Sequence, residues 1–93
     1  MTRTARHLVI RGRVQGVSYR WWSVREAEAL GLDGWVRNRR DGTVEMVVAG
    51  DEAAVTQMIE RCREGPPAAR VEQVEANETG DNVPAGFEQK PTA

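Results

Sequence analysis

Gly12-Arg13-Val14-Gln15-Gly16-Val17-Ser18-Tyr19-Arg20 leaves an apolar strand, turns on two glycines and enters a helix. A strand–turn–helix passage of this kind lets successive backbone N–H groups converge on an oxyanion, and the helix N-terminus adds unpaired donors and the positive end of its dipole. Arg20 stands where turn meets helix, and its planar fork of donors matches two oxygens of a phosphoryl group. The stretch therefore reads as an anion cradle. It also sets the fold, because it makes the first connection a strand-to-helix crossover.

Working outward, His7 to Arg13 alternates, with Leu8, Ile10 and Gly12 on one face and His7, Val9 and Arg11 on the other, the pattern of a strand. Trp21 to Leu30 holds neither proline nor glycine and offers Val24, Ala27, Ala29 and Leu30 to a buried stripe, so a helix is expected, with Gly31 as its stop. Leu32 to Asn38 reads as a second strand. Asp41-Gly42 supplies the dipeptide of a tight hairpin turn, and Thr43 to Val48 returns with Val44, Met46 and Val48 on one face. Asp51 is the expected N-cap of a second helix, in which Val55, Met58, Ile59 and Cys62 fall at i, i+3, i+4 and i+7. Gly65-Pro66-Pro67 ends it. Val71 to Ala76 predicts a fourth strand, although Val71 and Val74 differ in parity, so the strand either starts after Val71 or contains a bulge. Thr79 to Gly86 is a polar turn region, and Phe87 anchors a short last strand.

The order strand, helix, strand, strand, helix, strand predicts an α+β fold, the ferredoxin-like split βαβ sandwich, with an antiparallel sheet and both helices on one face. One domain over residues 1–93 is expected, its core between about residues 5 and 90. If the two parallel strands of the first βαβ unit lie side by side, Arg20 and Asn38 face a common pocket.

Composition narrows the chemistry. The chain has 93 residues and a formal net charge of −1, but residues 1–40 carry nine arginines against three acids, and residues 41–93 four basic groups against eleven acids. The anion-attracting half holds the loop. A single cysteine, Cys62, excludes an internal disulfide and fits a reducing compartment; with no apolar run of membrane length and no signal-peptide core after Met1-Thr2, a cytoplasmic protein without membrane association is expected. His7 is the only histidine and has no acid or cysteine at ligand spacing, so no metal is expected. Ser18 lacks a neighbouring base, and Cys62 sits on the apolar stripe of its helix, which argues against a nucleophile at either. Trp21, Trp22 and Trp35 are read as packing residues. The strands lack the aromatic pattern that stacks bases, so nucleic acid is not an expected partner. The loop by itself is neither a dinucleotide fingerprint nor a Walker loop, and turns of this type often only reverse the chain.

Gly12-x-Val14-Gln15-Gly16-Val17-x-Tyr19-Arg20, followed by Gly31-Leu32-x-Gly34-Trp35-Val36-Arg37-Asn38-x-x-x-Gly42-Thr43-Val44-Glu45 and Gly50, resembles the acylphosphatase family. The likeness runs on through Gly65-Pro66-Pro67 to Val71. It implies metal-free hydrolysis of the carboxyl–phosphate bond of small acyl phosphates by in-line water attack, without a cofactor. It further implies that the backbone amides of Gln15, Gly16, Val17, Ser18, Tyr19 and Arg20 bind phosphate, that the Arg20 side chain joins them, and that Asn38 orients the water. The partners implied are an acyl phosphate substrate and inorganic phosphate as product; independently of the resemblance, a monomer is the simplest expectation. Tyr19 stands where the family more often has phenylalanine, with a ring that can pack in the same way. Glu88, Gln89 and Lys90 depart from the family's apolar last strand. The alternative is a non-catalytic anion-binding module of the same fold.

Overall fold

The computed structural model describes residues 3–93; the reading of Met1-Thr2 lies outside them. The elements are β1 (Arg3–Arg13), α1 (Tyr19–Ala29), β2 (Asp33–Asn38), β3 (Val44–Asp51), α2 (Glu52–Glu64), β4 (Arg70–Glu78) and β5 (Phe87–Gln89). They form one five-stranded sheet in the order β4-β1-β3-β2-β5, with both helices on the core that Leu8, Ile10, Val36, Val44, Met46, Val48 and Val74 project from one face. The ferredoxin-like α+β expectation holds, with two corrections to the sheet.

The first concerns its edge. β5 pairs parallel with β2, Gly34 opposite Phe87, so the sheet is mixed rather than antiparallel. Phe87 is buried and anchors the strand, while Glu88 and Gln89 after it are both exposed at the sheet edge, where polar side chains are at home. The second concerns neighbours. β1 and β2 do not lie side by side: β3 pairs antiparallel with both. The short hairpin obliges β3 to lie against β2, so β1 takes its other edge, and the first crossover spans a strand position that is filled later in the chain.

The alternation read for β1 is observed, and on the second face Val9, Val47 and Ala49 are buried too. Among the described residues no helix covers that face. Trp35, the cross-strand neighbour of Val47, lies there with the Arg37 and Lys90 cations over its ring at 4.8 and 4.9 Å.

The parity conflict in β4 resolves as a bulge. Arg11 pairs with Gln73 but Gly12 with Val71, leaving Glu72 as the extra residue. A Cβ on Gly12 would stand 2.2 Å from the Arg70 carbonyl oxygen, so backbone fills the space a side chain would need.

In α2 the buried residues are Val55, Met58 and Cys62, as the spacing predicts. In α1 they are Tyr19, Ser23 and Ala27, and Ala29 is exposed instead of joining the stripe. Ser23 escapes a polarity-based reading because its hydroxyl donates to the Tyr19 carbonyl four residues back at 2.7 Å, which removes the cost of burying it.

Candidate active site

Val14, Val17 and Tyr19 are buried and pin the β1–α1 loop from beneath, while Gly16 and Ser18 are exposed. Both of these exposed residues are left-handed, Gly16 at φ 72° and Ser18 at φ 64°, a conformation that is uncommon for serine and turns successive N–H groups toward one side. Ser18 is the N-cap of α1 but makes no capping hydrogen bond through its side chain, and the first turn holds no acid. The positive end of the helix is therefore not neutralised locally. Among the described residues, the backbone N–H groups of Gln15, Gly16, Val17, Ser18, Tyr19 and Arg20 find no protein acceptor.

Gln15 does more than lend a backbone amide. Its side-chain Nε2 donates to the carbonyls of Arg39 at 2.7 Å and Thr43 at 2.8 Å. Those two residues bracket the turn of the β2–β3 hairpin, where the Arg39 N–H also donates to the Thr43 carbonyl. The loop is thus tied to both ends of the β2–β3 connection, next to Asn38 at the end of β2. This explains how Arg20 and Asn38 come to line one cavity although their strands are not neighbours.

That cavity measures about 310 Å³ and is lined by Val14, Gly16, Ser18, Tyr19, Arg20, Trp21, Asn38 and Gln89. Asn38 Oδ1 is buried and has no hydrogen-bond partner among the described residues. An unpaired buried amide oxygen is costly in a structural residue, and such groups call for a ligand or water as partner. The Asn38 backbone is held separately, its carbonyl accepting from the Ala93 N–H at 3.0 Å. Gln89 escapes sequence reading because it follows Phe87 in what looks like a polar tail. It reaches the cavity because β5 runs parallel to β2 and so finishes at the same end of the sheet as Asn38.

The remaining candidates are elsewhere. His7 hydrogen-bonds Glu45 at 2.7 Å, and the Arg37 Nε donates to the other oxygen of that carboxylate at 2.7 Å. Burial acts to raise the Glu45 pKa, but the hydrogen bonds from His7 and Arg37 outweigh it and hold the carboxyl below its ordinary value. Cys62 is buried in the core and its thiol is pushed up to about 12 by desolvation, which leaves it inert as a nucleophile. Desolvation likewise raises the Tyr19 phenol, which stays protonated and donates to the Cys62 carbonyl at 2.7 Å. A larger depression of about 650 Å³ lies beside β5 between Trp35 and the segment 81–90. Its rim carries Asp81 and Glu88, and its one cation, Lys90, is stacked on Trp35. It does not suit an anion.

The acylphosphatase family model matches residues 6–89. An acylphosphatase of Rhizorhabdus wittichii is 53% identical over 90 residues, covering 97% of this chain and 91% of its own length. Among solved structures, an acylphosphatase from Coxiella burnetii superposes with a TM-score of 0.91 at 35% identity, over 95% of this chain and 93% of its own. One from Bacillus subtilis gives 0.87 at 32% identity, over 92% and 97%. With the family's two motifs meeting at one cavity and its model spanning nearly the whole sequence, this chain belongs to the acylphosphatase family.

Proposed function

We propose that the protein hydrolyses the carboxyl–phosphate bond of small acyl phosphates to carboxylate and inorganic phosphate. In this reading the N–H groups from Gln15 to Arg20 and the Arg20 guanidinium hold the three phosphoryl oxygens. Asn38 Oδ1 orients the attacking water. The observation that carries it is the pairing of a buried acceptor without a partner among the described residues, Asn38 Oδ1, with a loop of unpaired N–H donors, of which Gly16, Ser18, Tyr19 and Arg20 line the same cavity.

The chemistry fits so sparse a site. The leaving group is a carboxylate whose conjugate acid has a pKa of about 4, so it departs without a general acid. Phosphoryl transfer then requires positioning and stabilisation of charge on the equatorial oxygens, which fixed N–H dipoles and one guanidinium supply. An amide oxygen is not a strong base. The water's proton passes to a phosphoryl oxygen of the substrate, and turnover should show no protein-borne ionisation near neutrality.

The test is phosphate release from acetyl phosphate with excess chelator, for the intact protein, Arg20→Ala and Asn38→Ala. Turnover that survives chelation and falls by about 10²–10³-fold or more in each variant is expected. Asn38→Ala should remain inhibited by inorganic phosphate, whereas Arg20→Ala should not. Phosphate binding without turnover by the intact protein would leave only the anion-binding module. We also infer a cytoplasmic location, supported by the single cysteine, Cys62, which has no second cysteine to pair with, and a monomer as the simplest state; fractionation of cells and sedimentation of the purified protein test the two parts.

A further inference from the structure

Trp21 is 58% exposed, the one large apolar side chain left so open among the described residues. A single exposed apolar residue needs no explanation in general. Trp21 differs by its place, because it lines the cavity of Arg20 and Asn38. Its neighbour Trp22 packs against the core, meeting the Tyr19 ring edge-on at 5.2 Å, and adjacent helical positions point about 100° apart, so α1 turns one indole toward the core and leaves the other at the rim. Arg25, one turn on, lies over the Trp21 ring at 5.0 Å and restrains it there.

A volume of about 310 Å³ is at the lower end of ligand pockets, roughly 300–1,000 Å³, and exceeds what a phosphoryl group alone fills. With the phosphoryl group against the loop N–H donors, the acyl body is left toward the open side. Beyond the loop, Arg20 and Asn38, the lining adds the exposed indole of Trp21 and the neutral amide of Gln89, and among the described residues no carboxylate or further cation lines the cavity to select a charged acyl chain.

We propose that Trp21 is a specificity-determining residue, whose indole takes the acyl group of the substrate and favours flat, apolar acyl phosphates over the smallest ones. This rests on the hydrolase reading of the same site. The Arg25 guanidinium already lies over the ring in the free protein, so less side-chain freedom is lost on binding.

The test compares acetyl phosphate with benzoyl phosphate for the intact protein, Trp21→Ala and Trp21→Phe. Aromatic pairs of this kind change affinity by about two- to tenfold. Trp21→Ala should lower the benzoyl-to-acetyl ratio of kcat/KM by about fivefold through KM, and Trp21→Phe should restore most of it. A ratio that Trp21→Ala leaves unchanged, with both substrates turned over, overturns the role of Trp21 and leaves the hydrolase standing. Failure of the intact protein to turn over either substrate overturns both. Alanine is the better helix former at this exposed position, so a folding defect does not confound the comparison; unchanged thermal unfolding checks this.

Discussion

The Tyr19 hydroxyl donates to the backbone carbonyl of Cys62 at 2.7 Å, across from the first residue of α1 to the last turn of α2. The i+4 donor that would ordinarily satisfy this carbonyl is absent, since position 66 is proline. The Gly65 N–H does not serve either, being given to Arg61. Tyr19 therefore closes the end of one helix from the start of the other. Tyr19→Phe keeps the ring and leaves a buried carbonyl unpaired, which should cost about 1–3 kcal/mol. The measurement is thermal unfolding, where each kcal/mol lowers Tm by roughly 4–8 °C in a chain of this size. Turnover at low temperature should be nearly unchanged.

Gly12 and Gly16 belong to one motif but answer to different constraints. A Cβ on Gly12 meets the Arg70 carbonyl oxygen at 2.2 Å, whereas one on Gly16 meets nothing within 4 Å. Gly12→Ala has no room without breaking the β1–β4 ladder and should lose more than about 3 kcal/mol in denaturant unfolding. Gly16→Ala bears only the left-handed strain of about 1–2 kcal/mol, and its larger effect should appear in KM for the acyl phosphate.

Gln15 holds the hairpin through donors alone. Gln15→Glu keeps the shape and replaces the bonds to the Arg39 and Thr43 carbonyls with repulsion. The loop then loses its tie to the strand that carries Asn38, and kcat should fall roughly 10- to 100-fold, as for a misplacement of about 1 Å. Inhibition by inorganic phosphate should change much less, since the loop donors and Arg20 remain.

Glu45 gives the fold an acid-side limit. Its carboxyl is held below the ordinary value of 4.5 in the folded state, so the stabilisation it confers is full above that value and drains away as pH falls through the folded pKa. Glu45→Gln should be less stable at neutral pH and should lose less between about pH 5 and pH 3 than the intact protein. Chemical denaturation across that window reads both.

Much of this architecture is legible from residue types. The hairpin around Asp41-Gly42 and the Val55–Met58–Cys62 stripe are decided by local periodicity, and the structure keeps them. What periodicity cannot convey is pairing at a distance. That β3 lies between β1 and β2, and that β5 runs parallel beside β2, depend on which strand edges remain free once the hairpin has formed. Hence the meeting of Arg20 with Asn38 was readable while its cause was not: it rests on the Gln15 side chain, and glutamine in a loop gives no signal of where it will donate. Ser23 was missed for a related reason, since its polarity is cancelled by a bond to its own helix. Gln89 carries no signal at all until the direction of β5 is known.

The placing of β3 between the strands of the first crossover bears on how the protein acquires its site. β1, α1 and β2 are consecutive, yet they cannot hold the loop in place among themselves, because Gln15 is tied to the Arg39 and Thr43 carbonyls of the connection that leads into β3. β1 finds its other partner in β4, with His7 opposite Asn77, so the strand that feeds the loop is fixed at both edges by distant segments. Such long-range closure is slow compared with helix formation. Recovery of catalytic competence during refolding should therefore lag the helical signal and coincide with completion of the sheet, and a nascent chain that has emerged only as far as Asn38 should carry Arg20 and Asn38 without turning over acyl phosphate.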